Sequence, residues 1–211
     1  MIPTKADMYK ALEERHGKEL QKKFASASVA VCGLGGLGSH IAFALARAGI
    51  GRLLLIDFDR VDITNLNRQQ YKADQIGLDK TEALKENLKE AAPYVQIKTY
   101  CKKLTEKNIP ELLDEADIIC EAFDDPECKA VLTDTVLNRM KGKYLVAASG
   151  MAGLGSGNII CTRKITENFY LCGDGVSEVS EEMGLFSARV MLCAAHQAHI
   201  VLRILAGEHD A

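Results

Sequence analysis

Short apolar runs alternate along this chain with longer stretches in which apolar residues recur every three or four positions. Most of the runs are apolar throughout, as strands buried on both faces are, and the third alternates. The predicted strands are VAVC (29–32), RLLLID (52–57), YVQIKTY (94–100), ADIICEAF (116–123) and KYLVAAS (143–149). The order β, α, β, α, β predicts a Rossmann-like α/β fold, a doubly wound and mostly parallel sheet with helices on both faces.

The helices between these strands have recognisable starts and ends. SHIAFALARAG (39–49) ends at a glycine, and the amphipathic LDKTEALKENLKEAAP (78–93) ends at a proline. Asp125 is expected to cap a helix over 126–141 that begins with Pro126.

The pattern differs at the two ends of the chain. Residues 5–24 have a mixed helical pattern. Beyond residue 150 we predict a short strand extension and a long C-terminal helix. The elements there are a glycine-rich turn (150–157), the strands NIICT (158–162) and NFYLC (168–172), a polar acidic loop (173–184) and the helix (186–207).

Composition places the chain among ordinary globular proteins. Its 211 residues suffice for one α/β domain, with 26% charged and 47% apolar residues. A net charge of −3 offers no basic surplus for nucleic acid, and no apolar stretch is long enough to cross a membrane. The N-terminus is charged throughout and lacks the apolar core of a signal peptide, so we expect a cytoplasmic protein.

The first chemical signal is the glycine turn after the first strand, in VAVCGLGGLG. A strand that enters such a turn and then a helix, with Asp57 closing the next strand, is typical of a dinucleotide site. The turn and helix N-terminus would hold phosphates, and the acid would hold a ribose. The same geometry serves NAD(P), FAD and ATP, so the glycines alone leave the nucleotide open.

The residues after the second strand favour a triphosphate. Asp59, Asn65, Arg68 and Lys80 follow that strand closely, where open α/β sheets bind ligands. A triphosphate carries about four negative charges, and reaction at its α-phosphorus adds charge that cations must stabilise. Arg68 and Lys80 would supply two of them; the alternative is that they are ordinary surface charges.

These residues carry a resemblance to a known family. The chain reads IDFDRVDITNLNRQQ (56–70), then Lys80, then EAFDD (121–125). The combination resembles the ThiF/MoeB/HesA branch of the ubiquitin-activating enzyme superfamily, from about residue 15 to about residue 206. Within that branch the chain looks most like the short ThiF-type adenylyltransferases that activate a thiamine sulfur carrier.

The resemblance implies a role for each matching residue. The phosphate turn comprises Gly33, Gly35, Gly36 and Gly38. Asp57 would hold the ribose, and the other nucleotide contacts would be Asp59, Asn65, Arg68 and Lys80. Asp124 would hold Mg²⁺, with the adjacent Asp125 as the alternative. Arg15 would enter the site of a neighbouring subunit, although the R-Y-x-R context of the family is absent.

The resemblance also implies a reaction and its partners. A homodimer would use ATP and Mg²⁺ to adenylate the C-terminal Gly-Gly carboxylate of a ubiquitin-like sulfur carrier, releasing pyrophosphate. Thiamine, molybdopterin and other sulfur routes remain open. One alternative is an inactive module that docks a ubiquitin-like protein. Another is an NAD-dependent oxidoreductase, but neither a histidine arranged for proton exchange nor a Tyr-x-x-x-Lys arrangement is recognised after the fourth strand.

Within the resemblance, the implied domain 1–211 divides into an N-terminal helical segment (1–27), a nucleotide-binding core (28–150) and a carrier-binding part (151–211). The glycines of 150–157 would allow close approach of a Gly-Gly tail, or form an ordinary tight turn.

The chain departs from many members of the family in its cysteines. No C-x-x-C pair is present, so no zinc is expected, and His196 and His199 are interpreted as helix surface and packing. A covalent role is considered for Cys172, but acidic neighbours would disfavour its thiolate. These neighbours are Asp174, Glu178, Glu181 and Glu182. Three strand cysteines are expected in the core, namely Cys32, Cys120 and Cys161.

Overall fold

The computed structural model describes residues 2–180 and 183–211, and its elements follow the predicted order. The strands are β1 (Ser28–Cys32), β2 (Arg52–Asp57), β3 (Gln96–Cys101), β4 (Ile118–Glu121), β5 (Tyr144–Ala148), β6 (Cys161–Thr166) and β7 (Phe169–Gly173). The α-helices are α1 (Lys5–His16), α2 (Lys18–Ser26), α3 (Gly36–Arg47), α4 (Lys80–Ala91), α5 (Ile109–Leu112), α6 (Pro126–Arg139) and α7 (Ser187–Ala206).

The strands form one sheet in the order β3-β2-β1-β4-β5-β7-β6. The pairs from β3 to β7 in this order are parallel, and the edge strand β6 runs antiparallel to β7. From β1 the chain moves to β2 and β3, whereas from β4 it moves to β5. A crevice therefore opens at the carboxyl ends of the neighbouring strands β1 and β4, which is where sheets of this kind bind ligands.

Side chains alternate between the two faces of the sheet. Val29 and Val31 belong to the core covered by α2, α3, α4 and α7, whereas Ala30 and Cys32 belong to the core covered by α5 and α6. This period of two, with both faces covered, confirms the predicted doubly wound fold. None of the helices in residues 2–180 and 183–211 combines the length and apolar character that crossing a bilayer requires.

The structure corrects three local predictions. The N-terminal helix is divided at Gly17, whose φ of +84° ends α1 before α2 begins. The strand predicted over 158–162 starts too early, because a 3₁₀ turn occupies Gly157–Ile159 and β6 begins only at Cys161. The single-turn helix α5 was not predicted, since one turn carries too few positions to show a helical period.

Candidate active site

The glycine turn joins β1 to α3 at the crevice. Gly33 has a φ of +89°, and a Cβ there would lie 2.8 Å from the carbonyl carbon of Ala122. Gly36 packs against Val190 of α7, so a side chain there would collide with that residue. No side chain of the described residues caps the first turn of α3. Its N–H groups are therefore available to a ligand, as the phosphate-binding prediction requires.

Asp57 ends β2 and ties the turn to the sheet. One carboxylate oxygen accepts the N–H of Leu34 at 2.6 Å, and the other accepts the N–H of Asp59 at 2.8 Å. Asp57 is only 5% exposed. Burial raises the pKa of Asp57, and the charge of Lys80 opposes that shift. Each oxygen keeps a second lone pair, so the carboxylate can still accept bonds from ribose hydroxyls.

Lys80 begins α4 and points to the same end of the sheet. It is buried, and its ammonium donates to the Asp59 carboxylate at 2.8 Å. Asp59 is half exposed, and its carbonyl accepts the N–H of Lys80 at 3.0 Å. In this structure Asp59 holds the lysine in place. Because an ammonium has three donors, Lys80 retains capacity for a phosphate.

Arg68 lies in the connection between β2 and α4, next to the glycine turn. A Cβ placed on Gly36 would lie 3.5 Å from the arginine Cγ. Its guanidinium donates to the Thr64 carbonyl at 3.3 Å and the Asn67 side chain at 2.9 Å. No carboxylate among the described residues pairs with Arg68, so its charge is free for a phosphate. Asn65, on the same connection, is half-buried.

The two acids after β4 have different roles. Asp125 caps α6 as predicted, accepting the N–H of Cys128 at 2.8 Å, and this hydrogen bond lowers its pKa. Asp124 is exposed and has no hydrogen-bond partner within residues 2–180 and 183–211. A free carboxylate suits Mg²⁺, which prefers oxygen ligands and binds through few protein groups. Of the two, Asp124 is therefore the better placed for a metal.

Sequence comparison identifies the family of this chain. The model of the ThiF family matches residues 9–211. The chain belongs to the ThiF family. The predicted family resemblance is thus confirmed over residues 9–211.

The curated relatives of this ThiF-family chain are named as both adenylyltransferase and sulfurtransferase. Adenylyltransferase and sulfurtransferase UBA4 of Lodderomyces elongisporus is 36% identical over 66% of this chain and 30% of its own length. UBA4 of Candida glabrata is 30% identical over 99% of this chain and 52% of its own length. Adenylyltransferase and sulfurtransferase MOCS3 of Aedes aegypti is 36% identical over 64% of this chain and 31% of its own. The chain spans about half or less of the length of these relatives.

Solved structures share the fold. E. coli tRNA N6-threonylcarbamoyladenosine dehydratase, TcdA, in complex with ATP has a TM-score of 0.86 and 22% identity, covering 98% of both chains. E. coli MccB has a TM-score of 0.69 and 23% identity, covering 90% of this chain and 60% of its own. The likeness confirms the Rossmann-like fold with its C-terminal extension.

Arg15 is not near the crevice of its own chain. It lies on α1, whose Leu12 packs near Gly49, just beyond the C-terminal end of α3. The glycine turn is at the opposite end of that helix, and twelve residues of α-helix span about 18 Å. A role for Arg15 in the site of a neighbouring copy stays a prediction.

The cysteines require two corrections. Cys172 is fully buried, and burial, not acidic neighbours, raises its pKa to about 11. Its neighbour Asp174 is instead paired with Arg189 at 2.6 Å, and Glu181 and Glu182 lie outside the described residues. Cys32 and Cys120 are buried as predicted, but Cys161 is only half-buried, since its strand is at the sheet edge.

The remaining candidates are two histidines of α7 and the glycine-rich stretch 150–157. His196 shares a hydrogen bond of 3.0 Å with Thr162, and His199 is exposed. Within the described residues no cluster of three or more His, Cys, Asp or Glu side chains is arranged to hold a metal. In the stretch 150–157, Gly150 packs closely against Asp174, and Arg189 donates to the carbonyls of Gly155 and Ser156.

Sequence reasoning missed one group behind the site. Glu121, the last residue of β4, is 1% exposed and pairs with Lys129 of α6 at 2.9 Å. Burial raises the pKa of Glu121, and the ammonium of Lys129 opposes that shift. The available signal was an acid within the otherwise apolar run ADIICEAF, because a charge in a buried strand needs a partner.

Proposed function

We propose that this ThiF-family chain uses ATP and Mg²⁺ to adenylate the C-terminal Gly-Gly carboxylate of a small ubiquitin-like sulfur carrier of the ThiS type, in thiamine biosynthesis. The observation that carries the proposal is the grouping at one crevice of the glycine turn, Arg68, Lys80 and Asp124. Oxidoreductase chemistry would not need these cations around a phosphate turn. The names of the curated relatives, which begin with adenylyltransferase, support the same reaction.

Each site residue has a defined task in this proposal. The N–H groups at the start of α3 bind phosphate oxygens, and Asp57 orients the ribose. Lys80 and Arg68 neutralise charge on the triphosphate as the reaction proceeds. Asn65 helps to align the phosphates. Asp59 keeps the Lys80 ammonium directed at the crevice through their ion pair.

The reaction needs alignment and charge neutralisation more than proton transfer. A carboxylate oxygen of the carrier attacks the α-phosphorus, and the bond from that phosphorus to the oxygen bridging the α- and β-phosphates breaks. The products are a carrier acyl-adenylate and pyrophosphate. Asp124 would hold Mg²⁺, which supplies charge neutralisation for the leaving pyrophosphate. No general base is required, because the attacking carboxylate is already ionised at neutral pH.

The carrier and the assembly are part of the same proposal. The extended Gly-Gly tail would pass beside the 150–157 turn, where Arg189 already binds the carbonyls of Gly155 and Ser156, and residues 151–211 form the carrier-binding part. In a cytoplasmic homodimer, Arg15 of one copy would reach the site of the other. Its position at the far end of α3 supports a role between copies over one within a chain.

ATP:pyrophosphate exchange with purified carriers tests the proposal. Exchange should require the terminal Gly-Gly and should fall on the order of 10²-fold in Arg68→Ala and Asp124→Ala. Arg139→Ala is the matched control. It removes an exposed cation at the C-terminal end of α6, where Arg139 pairs with Glu106. Binding of ATP without exchange for any carrier would favour an inactive docking module. Preference for NADH over ATP would favour an oxidoreductase.

A further inference from the structure

The connection between β4 and α6 carries Asp124, and the ion pair of Glu121 with Lys129 supports this connection from the protein interior. Glu121 ends β4, and Lys129 lies one turn into α6. The side chain of Glu121 is almost fully buried, and that of Lys129 is 27% exposed. The pair therefore lies under the connection, on the protein side of the crevice.

The contacts of Lys129 leave no donor for a ligand. Its ammonium donates to both oxygens of Glu121, at 3.1 and 2.9 Å, and to the carbonyl of Phe123 at 2.9 Å. An ammonium has three N–H groups, and all three are used. Lys129 is consequently a support for the connection and not a further phosphate-binding cation.

The ion pair holds the residue that precedes Asp124 on both sides. Glu121 accepts the N–H of Phe123 at 2.8 Å, while Lys129 binds the carbonyl of the same residue. The N–H of Ala122 donates to the Cys32 carbonyl at 2.8 Å, which anchors the connection to β1. The Asp124 side chain has no such tie among the described residues, so its direction depends on the backbone held by Glu121 and Lys129.

Stability alone does not account for this pair. Replacing a buried ion pair with apolar residues of similar volume is often neutral or stabilising, because both charges must be desolvated. Gln197 also donates to the Glu121 carbonyl, at 2.9 Å, so the backbone there has a neutral support as well. The charged pair adds two hydrogen bonds at Phe123, the residue before Asp124.

We infer that Glu121 and Lys129 are positioning residues that direct the Asp124 carboxylate toward the metal of the nucleotide complex. This inference rests on the proposed function, in which Asp124 holds Mg²⁺. Residues that orient a metal ligand commonly change metal affinity by about 10–100-fold when they are removed.

The test measures Mg²⁺ affinity separately from nucleotide affinity. Binding of β,γ-methylene-ATP to the full chain is followed by calorimetry, in EDTA and across a Mg²⁺ titration. In Lys129→Met, the Mg²⁺ concentration that gives half of the increase in nucleotide affinity should rise about 10-fold or more. Nucleotide binding in EDTA should be unchanged. Lys129→Arg, which keeps the charge, should recover much of the loss. Arg139→Met, which breaks an exposed pair on the same helix, should match wild type.

A second variant protects the test against misfolding. Lys129→Met leaves Glu121 buried without a partner, so it is paired with the double variant Glu121→Gln/Lys129→Met, which removes both charges. The folded double variant should also bind Mg²⁺ more weakly than wild type, because the hydrogen bond from Lys129 to the Phe123 carbonyl is lost. Wild-type Mg²⁺ affinity in the double variant would overturn the inference. An equal loss of nucleotide affinity in EDTA and in Mg²⁺ would also overturn the inference, since the ion pair would then be only structural.

Asp124→Asn separates this inference from the proposed function. If Asp124→Asn leaves Mg²⁺ affinity unchanged, the metal assignment in the proposed function is wrong and the inference fails with it. If Asp124→Asn weakens Mg²⁺ binding but the folded double variant does not, the metal site stands and only the positioning role is refuted.

Discussion

Gly33 allows a quantitative test of the close approach between the glycine turn and the β4–α6 connection. In Gly33→Ala, an L-residue must adopt a φ of +89°, which costs about 1–2 kcal/mol. The new methyl group would also lie 2.8 Å from the carbonyl carbon and oxygen of Ala122. A backbone carbonyl cannot rotate away, and overpacking of this kind typically costs about 1–3 kcal/mol. The free energy of unfolding should therefore fall by about 2–5 kcal/mol.

Gly142→Ala is the matched control for this prediction. Its φ of +82° imposes a similar conformational cost, but no atom lies within 4 Å of the added Cβ. Its loss should therefore stay near 1–2 kcal/mol. Urea denaturation of both variants, with the slope checked against wild type, gives the two free energies. Equal losses in the two variants would show that the turn and the connection are not in close contact, and would refute the reasoning.

Two further predictions concern groups outside the crevice. Asp174→Asn leaves buried Arg189 unpaired, so the free energy of unfolding should fall by about 3–5 kcal/mol at about pH 7. Despite desolvation by burial, hydrogen bonds from Ser177, Val176 and Arg189 lower the pKa of Asp174 in the folded state, so its ionised form stabilises the fold above the unfolded pKa near 3.9. The difference in the free energy of unfolding between the variant and wild type should therefore shrink as the pH falls. A difference that stays constant with pH in urea titrations would contradict this. Alkylation of the native protein, followed by peptide mass spectrometry, should label exposed Cys101 first and spare Cys172, whose labelling at a similar rate would contradict its burial.

The site shows which roles a sequence can carry. Glycine spacing and the position of Asp57 are local features, because a strand, a tight turn and a helix follow one another directly. The helix cap at Asp125 is local too, and it was predicted correctly. Which of Asp124 and Asp125 has a carboxylate free for a ligand became clear only in the structure, where Asp125 is engaged by an N–H group and Asp124 is not.

The support under the site depends on residues from separate elements. Lys129 meets Glu121 because β4 and α6 pack together, and no period in the sequence indicates which charges will face each other across that contact. The burial of Cys172 likewise depends on β7 lying between β5 and β6, an order that adjacency in the chain does not predict. The pairing of Asp59 with Lys80 is similar, since a loop brings the two together.

The sequence by itself determined the fold class, the alternation of strands and helices, and the place of the glycine turn, because these follow from hydrophobic period and turn chemistry within short segments. It also carried the motifs by which the family is identified. Only the tertiary structure decided which charges are free and which are paired, and which cysteines are accessible. Those properties depend on desolvation and on contacts between distant segments, and they arise when the sheet, its helices and their connections pack together.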